Sequence, residues 1–318
     1  MAAPRVESIS SRAIVGEGPH WDEKEQALYT VDIRGSQVRK YCPSTKKETF
    51  VQIEGATVSF VVPLKDQKGK FILGLGRSFA ILTWDGVSNT PSHIEWIATV
   101  DDEDEEKAGN RLNDGKADPS GRLWAGTMGP INGPLSSIPP TASLFSLSKE
   151  RKVTVHLTSI AVGNGLTWSL DHKVMYYIDS VTDKIDAFDF DVHHGKIFNR
   201  RTVFDFATNQ VKGHPDGMTI DTEGMLWIAC FEGNQIIRIN PESGKRLKTI
   251  PIPAFKVTSL AFGGANLDEL YVTTASVGMS KTELEAMPGS GCIFRVTGTG
   301  AKGFAGQAAV LEEGVRDL

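Results

Sequence analysis

Four times along the chain an acid or an amide stands before a glycine at the head of a short apolar run. The copies are Glu17-Gly-Pro-His-Trp-Asp, Asp114-Gly-Lys-Ala-Asp-Pro, Asn164-Gly-Leu-Thr-Trp-Ser and Asp216-Gly-Met-Thr-Ile-Asp. A turn with charged or glycine residues follows each, and then an aromatic-rich run: Ala27-Leu-Tyr-Thr-Val-Asp, Arg122-Leu-Trp-Ala-Gly-Thr, Val174-Met-Tyr-Tyr-Ile-Asp and Met225-Leu-Trp-Ile-Ala-Cys. A third alternating run comes next, as in Gln37-Val-Arg-Lys-Tyr, Lys184-Ile-Asp-Ala-Phe-Asp-Phe and Gln235-Ile-Ile-Arg-Ile-Asn, so the unit is a set of hairpin-linked strands. Two further copies, from Val58 and from Thr258, lack the acid-glycine start. Self-similarity of this kind restricts the fold before any single strand is assigned.

The starts at Glu17, Val58, Asp114, Asn164, Asp216 and Thr258 are about 40 to 55 residues apart, the length of a four-stranded propeller blade. The expectation is therefore all-β, a six-bladed β-propeller forming one domain over residues 1–318. A strand near residues 6–15 would complete the last blade, and 307–318 would be a loose tail. Paired β-sandwiches also use short strands and glycine-rich turns, but six copies at blade spacing favour the ring. The segment Ser280-Lys-Thr-Glu-Leu-Glu-Ala-Met reads as a short helix with Ser280 as its N-cap, ending at Pro288.

Charge excludes some functions. A net charge of −5 gives no basic footprint for nucleic acid. No apolar run reaches the length of a bilayer span or a secretory leader. The three cysteines, Cys42, Cys230 and Cys292, have neither metal-finger nor redox spacing and read as packing residues. A cytoplasmic protein working on a small-molecule substrate, as a monomer or weak dimer away from membranes, is the resulting expectation. The run Asp101-Asp-Glu-Asp-Glu-Glu reads as a solvated acidic loop; it lacks the glycine and the terminal glutamate of a calcium-binding EF-hand loop.

Innermost strands of a propeller line a central channel, so Glu17, Asp114, Asn164 and Asp216, with Asn113 beside them, would converge there. Acids and amides before glycine also make ordinary turns, but their recurrence in register favours a ring of oxygen donors. Carboxylates gathered at close range repel one another unless a proton or a cation sits between them. All-oxygen ligation suits one divalent cation, Ca²⁺, Mg²⁺ or Mn²⁺, with Zn²⁺ a poorer match without His or Cys. Arg111, two residues from Asn113 on the same face of an extended segment, could orient a polyhydroxylated or acidic substrate. His20 and His214 flank ring positions and read as packed or solvent-facing. The tryptophans Trp21, Trp124, Trp168 and Trp227 recur at repeat positions and read as core.

These residues carry a resemblance. Gly16-Glu-Gly-Pro-His-Trp-Asp, Asn110-Arg-Leu-Asn-Asp-Gly-Lys-Ala-Asp-Pro, Gly126-Thr-Met, Asn164-Gly-Leu-Thr-Trp-Ser, Tyr176-Tyr-Ile-Asp-Ser, Pro215-Asp-Gly-Met-Thr-Ile-Asp-Thr-Glu-Gly and Phe262-Gly-Gly are similar to the motifs of the regucalcin, or senescence marker protein, family. That family is grouped with gluconolactonases and includes the insect luciferin-regenerating enzymes. The resemblance runs from about Val6 to about Gly306. It implies a metal-dependent lactonase with one divalent ion held by Glu17, Asn164 and Asp216. Asp216 would also be the general base, and Arg111 and Asn113, with Asp114 beside them, would handle substrate. One departure is clear. Vertebrate members have acidic residues after the motif matching Gly126-Thr-Met128, one of which helps hold substrate, whereas Gly129-Pro-Ile-Asn-Gly-Pro stands here.

Three functions follow as expectations. The first is hydrolysis of sugar lactones. The second is a related reaction on another substrate, of the luciferin-regenerating or organophosphate-hydrolysing kind. The third is calcium binding without catalysis.

Overall fold

The computed structural model describes residues 3–102 and 104–313. Six four-stranded antiparallel sheets are arranged as the blades of a β-propeller. Numbered along the chain, blades I to VI begin with the strands Gly16–Asp22, Val58–Pro63, Arg111–Ala117, Gly163–Trp168, His214–Ile220 and Lys256–Gly263. Blade VI takes its outer strand, Arg5–Ser8, from the N-terminal end of the chain, paired with Phe294–Thr297 from the C-terminal end. One sheet thus joins both ends of the chain, and the ring is closed by backbone hydrogen bonds.

The core lies between blades. Each of the six blade-to-blade contacts has its own apolar cluster: Phe60, Ile72 and Phe79 against Leu112 and Phe145 join II to III, and Trp227 and Ile236 against Leu260 and Phe262 join V to VI. Trp21 stacks on Tyr271 with ring centroids 5.2 Å apart to seal I against VI. Second strands such as Ala27–Asp32 and Leu123–Met128 are buried along their whole length, which explains why their sequences run apolar and aromatic without strict alternation. Outer strands are the reverse: Lys196–Asp205 and Lys245–Pro251 are mostly exposed and rich in Lys and Arg, the composition that discourages edge-to-edge pairing.

Two blades share a turn built on a buried aspartate. Asp118 accepts from the backbone N–H groups of Ser120 and Arg122 and from the Trp124 indole, and pairs with Arg122. Asp221 does the same for Glu223, Met225 and Trp227, and pairs with Arg238. The tryptophans expected in the core are buried there.

Three local expectations change. Asp101, read as part of a solvated loop, has a side chain only 2% exposed. Its carboxylate accepts from Asn110 and Thr127 and faces Lys107, so it ties the approach to blade III in place. Residues 307–313, expected as a loose tail, lie against blades II and III: Ala309 is buried and exchanges backbone hydrogen bonds with Pro63 and Lys65, and Val310 donates to Gly121; residues 314–318 lie outside the described residues. Cys42 is half-exposed, unlike the buried Cys230 and Cys292, and hydroxyls of Ser44 and Thr45 lower its thiol to about 7. The short helix Lys281–Ala286 forms with a capping box between Ser280 and Glu283. Among the described residues no helix is long and apolar enough to cross a membrane.

Candidate active site

All six innermost strands carry a register shift against their second strand near the start of the repeat: Glu17/His20, Val58/Val61, Leu112/Gly115, Gly163/Leu166, Pro215/Met218 and Val257/Ser259. A β-bulge breaks the strict alternation of side chains and re-aims them, so neighbouring polar residues on one strand can serve the channel. The glycines after Asn164 and Asp216 serve a different need from a turn. A Cβ on Gly165 would meet the Asp216 carbonyl at 2.5 Å, and one on Gly217 would meet the Ser259 hydroxyl at 2.0 Å. These glycines let adjacent inner strands close around a narrow axis.

At one end of the channel a cavity of about 400 Å³ is lined by Glu17, Arg111, Asn113, Asn164 and Asp216, with Ser180 and His214 at its side. Five of the six residues singled out from sequence meet there. The sixth, Asp114, is not among the lining residues; its carboxylate accepts from the backbone N–H of Gly115, and its charge is felt by Glu17, Asp216 and Lys116. Lys116 is half-buried and donates to the Met218 carbonyl at 2.8 Å. His20, on the same inner strand as Glu17, lines a separate recess together with Lys116. Burial and the neighbouring ammonium hold its imidazole down at about 3, and it is neutral.

The polar residues form one network. Arg111 donates from Nη1 to the Asn113 carboxamide oxygen at 2.8 Å and to the Leu112 carbonyl at 2.9 Å. Asn113 in turn donates to the Gly163 carbonyl and, at 3.1 Å, to Asn164 Oδ1. Asn164 Nδ2 donates to Ser180 Oγ at 2.8 Å, and the Ser180 hydroxyl donates to the Pro215 carbonyl at 2.6 Å. That last bond uses the only proton on Ser180, so the serine must accept from Asn164, and the amide orientation follows from the network.

The carboxylates are held in an unfavourable state. Burial first, then the negative charge of Asp114, pushes Glu17 from 4.5 up to about 8. Asp216 is raised well above its ordinary value by burial and by the charges of Glu17 and Asp114. Its Oδ1 is buried without a hydrogen-bond partner. An unpartnered carboxylate oxygen in a buried, polar site is costly unless a proton or a cation occupies it. Arg111 offsets only part of the charge, and its own burial lowers it to about 10. Among the described residues no three His, Cys, Asp or Glu side chains are gathered to hold a metal by themselves; the set offered here is two carboxylates and the Asn164 carboxamide.

Sequence reasoning missed Ser180, Arg34 and His214 as cavity residues. Ser180 ends the run Tyr176-Tyr-Ile-Asp-Ser, and its place after Asp179 is the available signal. Asp179 caps the backbone N–H groups of Ala161 and Val162 just as Asp32 caps Ile14 and Val15, so the residue at the end of these second strands pins the lead-in to an inner strand. His214 was set aside as packed or solvent-facing, yet it lines the cavity. Its Nδ1 hydrogen-bonds Asp183 at 2.6 Å, which raises its imidazole.

Comparison with known proteins agrees with this architecture. The chain is 42% identical to regucalcin of Xenopus laevis over 96% of its own length and 98% of that protein's, and 41% identical to human regucalcin over 91% and 93%. It superposes on a luciferin-regenerating enzyme with a TM-score of 0.91 at 48% identity, covering 97% of this chain and 100% of that one. A calcium-binding regucalcin from Agrobacterium tumefaciens, at 23% identity and a TM-score of 0.84, shares the fold. Residues 15–276 match the model of the SMP-30/Gluconolactonase/LRE-like region, and the chain belongs to that family.

Proposed function

We propose that the channel site hydrolyses lactones with one divalent cation held by Glu17, Asn164 and Asp216. The observation that carries this reading is the unpartnered Oδ1 of Asp216, buried beside a second carboxylate at the floor of an open cavity. The donor set fits a cation on three grounds. The charge of Glu17 raises the proton affinity of Asp216 and the charge of Asp114 raises both, the Asn164 amide is locked with its oxygen away from Ser180, and Arg111 alone leaves the charge unbalanced. Names in the family agree: solved relatives sharing this fold are described as a calcium-binding protein and as gluconolactonases. Ca²⁺, Mg²⁺, Mn²⁺ and Zn²⁺ all remain chemically admissible with oxygen donors. When bound, the cation supplies Lewis acidity at the substrate's carbonyl.

The protein's own residues do the rest. Asp216 takes a proton from the attacking water; the water oxygen bonds to the carbonyl carbon, the ring C–O bond breaks, and the proton passes to the departing alkoxide. Arg111, fixed by Asn113 and the Leu112 carbonyl, presents a positive charge to the substrate's oxygens. Asn113 spends both amide protons on Gly163 and Asn164, which leaves one lone pair of its oxygen for a substrate hydroxyl. Asp114 acts from behind the cavity, through the charges of Glu17 and Lys116.

The test is lactonase activity of metal-stripped protein reloaded with each of the four cations. Activity should vanish on stripping and return with at least one of them, and Asp216→Ala should remove it at any metal concentration. Turnover retained by Asp216→Ala with cation present would refute the assignment. The high identity to a luciferin-regenerating enzyme favours a second reading, in which the same floor serves a related substrate; cation binding with no turnover of any ester or lactone would instead favour a purely cation-binding protein.

A further inference from the structure

The floor of the cavity is polar, but its mouth is mostly apolar. Pro130, Ile131, Leu135, Phe231 and Val277 line the part open to solvent, with Ile33 buried behind them, and the polar side chains there are the exposed Arg34 and the half-buried Thr57 and His214. Of these, His214 is already engaged by Asp183. Half of this apolar wall comes from the segment after Met128. That segment is prebuilt: Leu135 packs against the buried Met128, Ile138, Ala161 and Val162, Pro130 lies against Gly109, and Thr141 at its end is bonded to Asn110. Ile131 is 51% exposed at the opening, and with Pro130 and Leu135 it belongs to one apolar lining rather than standing as a single scattered side chain.

We propose that this mouth selects lactones bearing an apolar substituent over polyhydroxylated sugar lactones, with Pro130, Ile131 and Leu135 determining the choice. The inference rests on the lactonase reading of the floor and deepens it. A substrate ring seated at the floor must point its substituent outward along the wall. Each methylene that leaves water for such a wall is worth about fourfold in binding. A hydroxyl pressed against it loses water without gaining a partner, at a cost of roughly tenfold or more. Because the wall is packed in advance, little of that gain is spent on ordering it.

The experiment uses the full chain loaded with its activating cation. Specificity constants are measured for glucono-δ-lactone and for δ-lactones whose alkyl chain grows from none to five carbons. The expected result is a rise of about fourfold per carbon over the first three carbons, expressed in KM more than in kcat. The pentyl lactone should exceed gluconolactone by at least about tenfold. Ile131→Asp, a change at a half-exposed position, should flatten the chain-length dependence and move the alkyl-to-sugar ratio by about tenfold towards the sugar. Preference for gluconolactone, or a chain-length dependence that Ile131→Asp leaves intact, overturns the inference while leaving the lactonase reading standing. Failure to hydrolyse any of these lactones overturns both.

Discussion

Asn164 can offer its oxygen to the channel because Ser180 holds the other end of the amide. Ser180 Oγ accepts from Nδ2 and donates to the Pro215 carbonyl, the residue just before Asp216. One buried hydroxyl therefore orients a proposed ligand and steadies the strand that carries another. Ser180→Ala is expected to weaken cation binding by about 10- to 100-fold, the usual effect of removing a hydrogen bond that orients a ligand. Calorimetric titration reads it directly, and unchanged affinity in a folded variant would show that the amide needs no such support. Residue types and order made Glu17, Asp114, Asn164 and Asp216 legible as a ring, and the family resemblance narrowed the expected ligands to Glu17, Asn164 and Asp216. Ser180 was not legible, because a serine after a strand has many uses and only proximity selects one.

At the scale of the element, the inner strand and the turn that follows it divide the labour. The bulge aims polar side chains at the channel, while the aspartate at the turn holds the blade together. Asp221 is wholly buried, bonded to two backbone N–H groups, to the Trp227 indole and to Arg238. Asp221→Ala leaves the indole N–H without a partner and Arg238 with Glu223 alone, and should cost about 1–3 kcal/mol. Urea unfolding measures it; a loss below about 1 kcal/mol would mean that water replaces the carboxylate freely. Asp221 is not among the residues that line the cavity, so this cost falls on the blade rather than on the site. The matching pattern in Asp118-Pro-Ser-Gly-Arg-Leu-Trp and Asp221-Thr-Glu-Gly-Met-Leu-Trp was open to view, yet a surface turn and a buried carboxylate hub look alike until the arginine's position is known.

For the whole molecule, the ring concentrates negative charge on its axis, and that couples stability to pH. Glu17 rises from 4.5 to about 8, chiefly through burial, and Asp216 rises with it. In the cation-free folded chain these groups keep protons that the unfolded chain has already released. The contribution of Glu17 to stability is therefore full below about 4.5 and is lost as pH climbs through about 8, and that of Asp216 is lost in the same direction. His20, held down at about 3 from 6.5, has the opposite sign, but its effect ends above 6.5. His214 is raised and shares the sign of the carboxylates, so Glu17→Gln separates the two. Cation-free protein should melt at lower temperature at pH 8 than at pH 6.5, with a smaller drop in Glu17→Gln, and saturating cation should raise the melting temperature most at pH 8. A cation-free melting temperature that does not fall over this interval would contradict the buried-carboxylate account.

Blade number and the acids and amides that open four of the inner strands were determined by the sequence alone, because a repeat of blade length forces equivalent positions onto one axis. Tertiary structure decided what local pattern could not. The bulges leave Asp114 outside the set of residues that line the cavity, a consequence of pairing with the second strand. The burial of Asp101 depends on Asn110, Thr127 and Lys107 meeting it. Packing of residues 129–135 against blades III and IV turned a loop without acids into an apolar wall. Each of these outcomes rests on which side chains and strands meet in three dimensions, within blade III and between it and blade IV, and local residue pattern does not record those meetings.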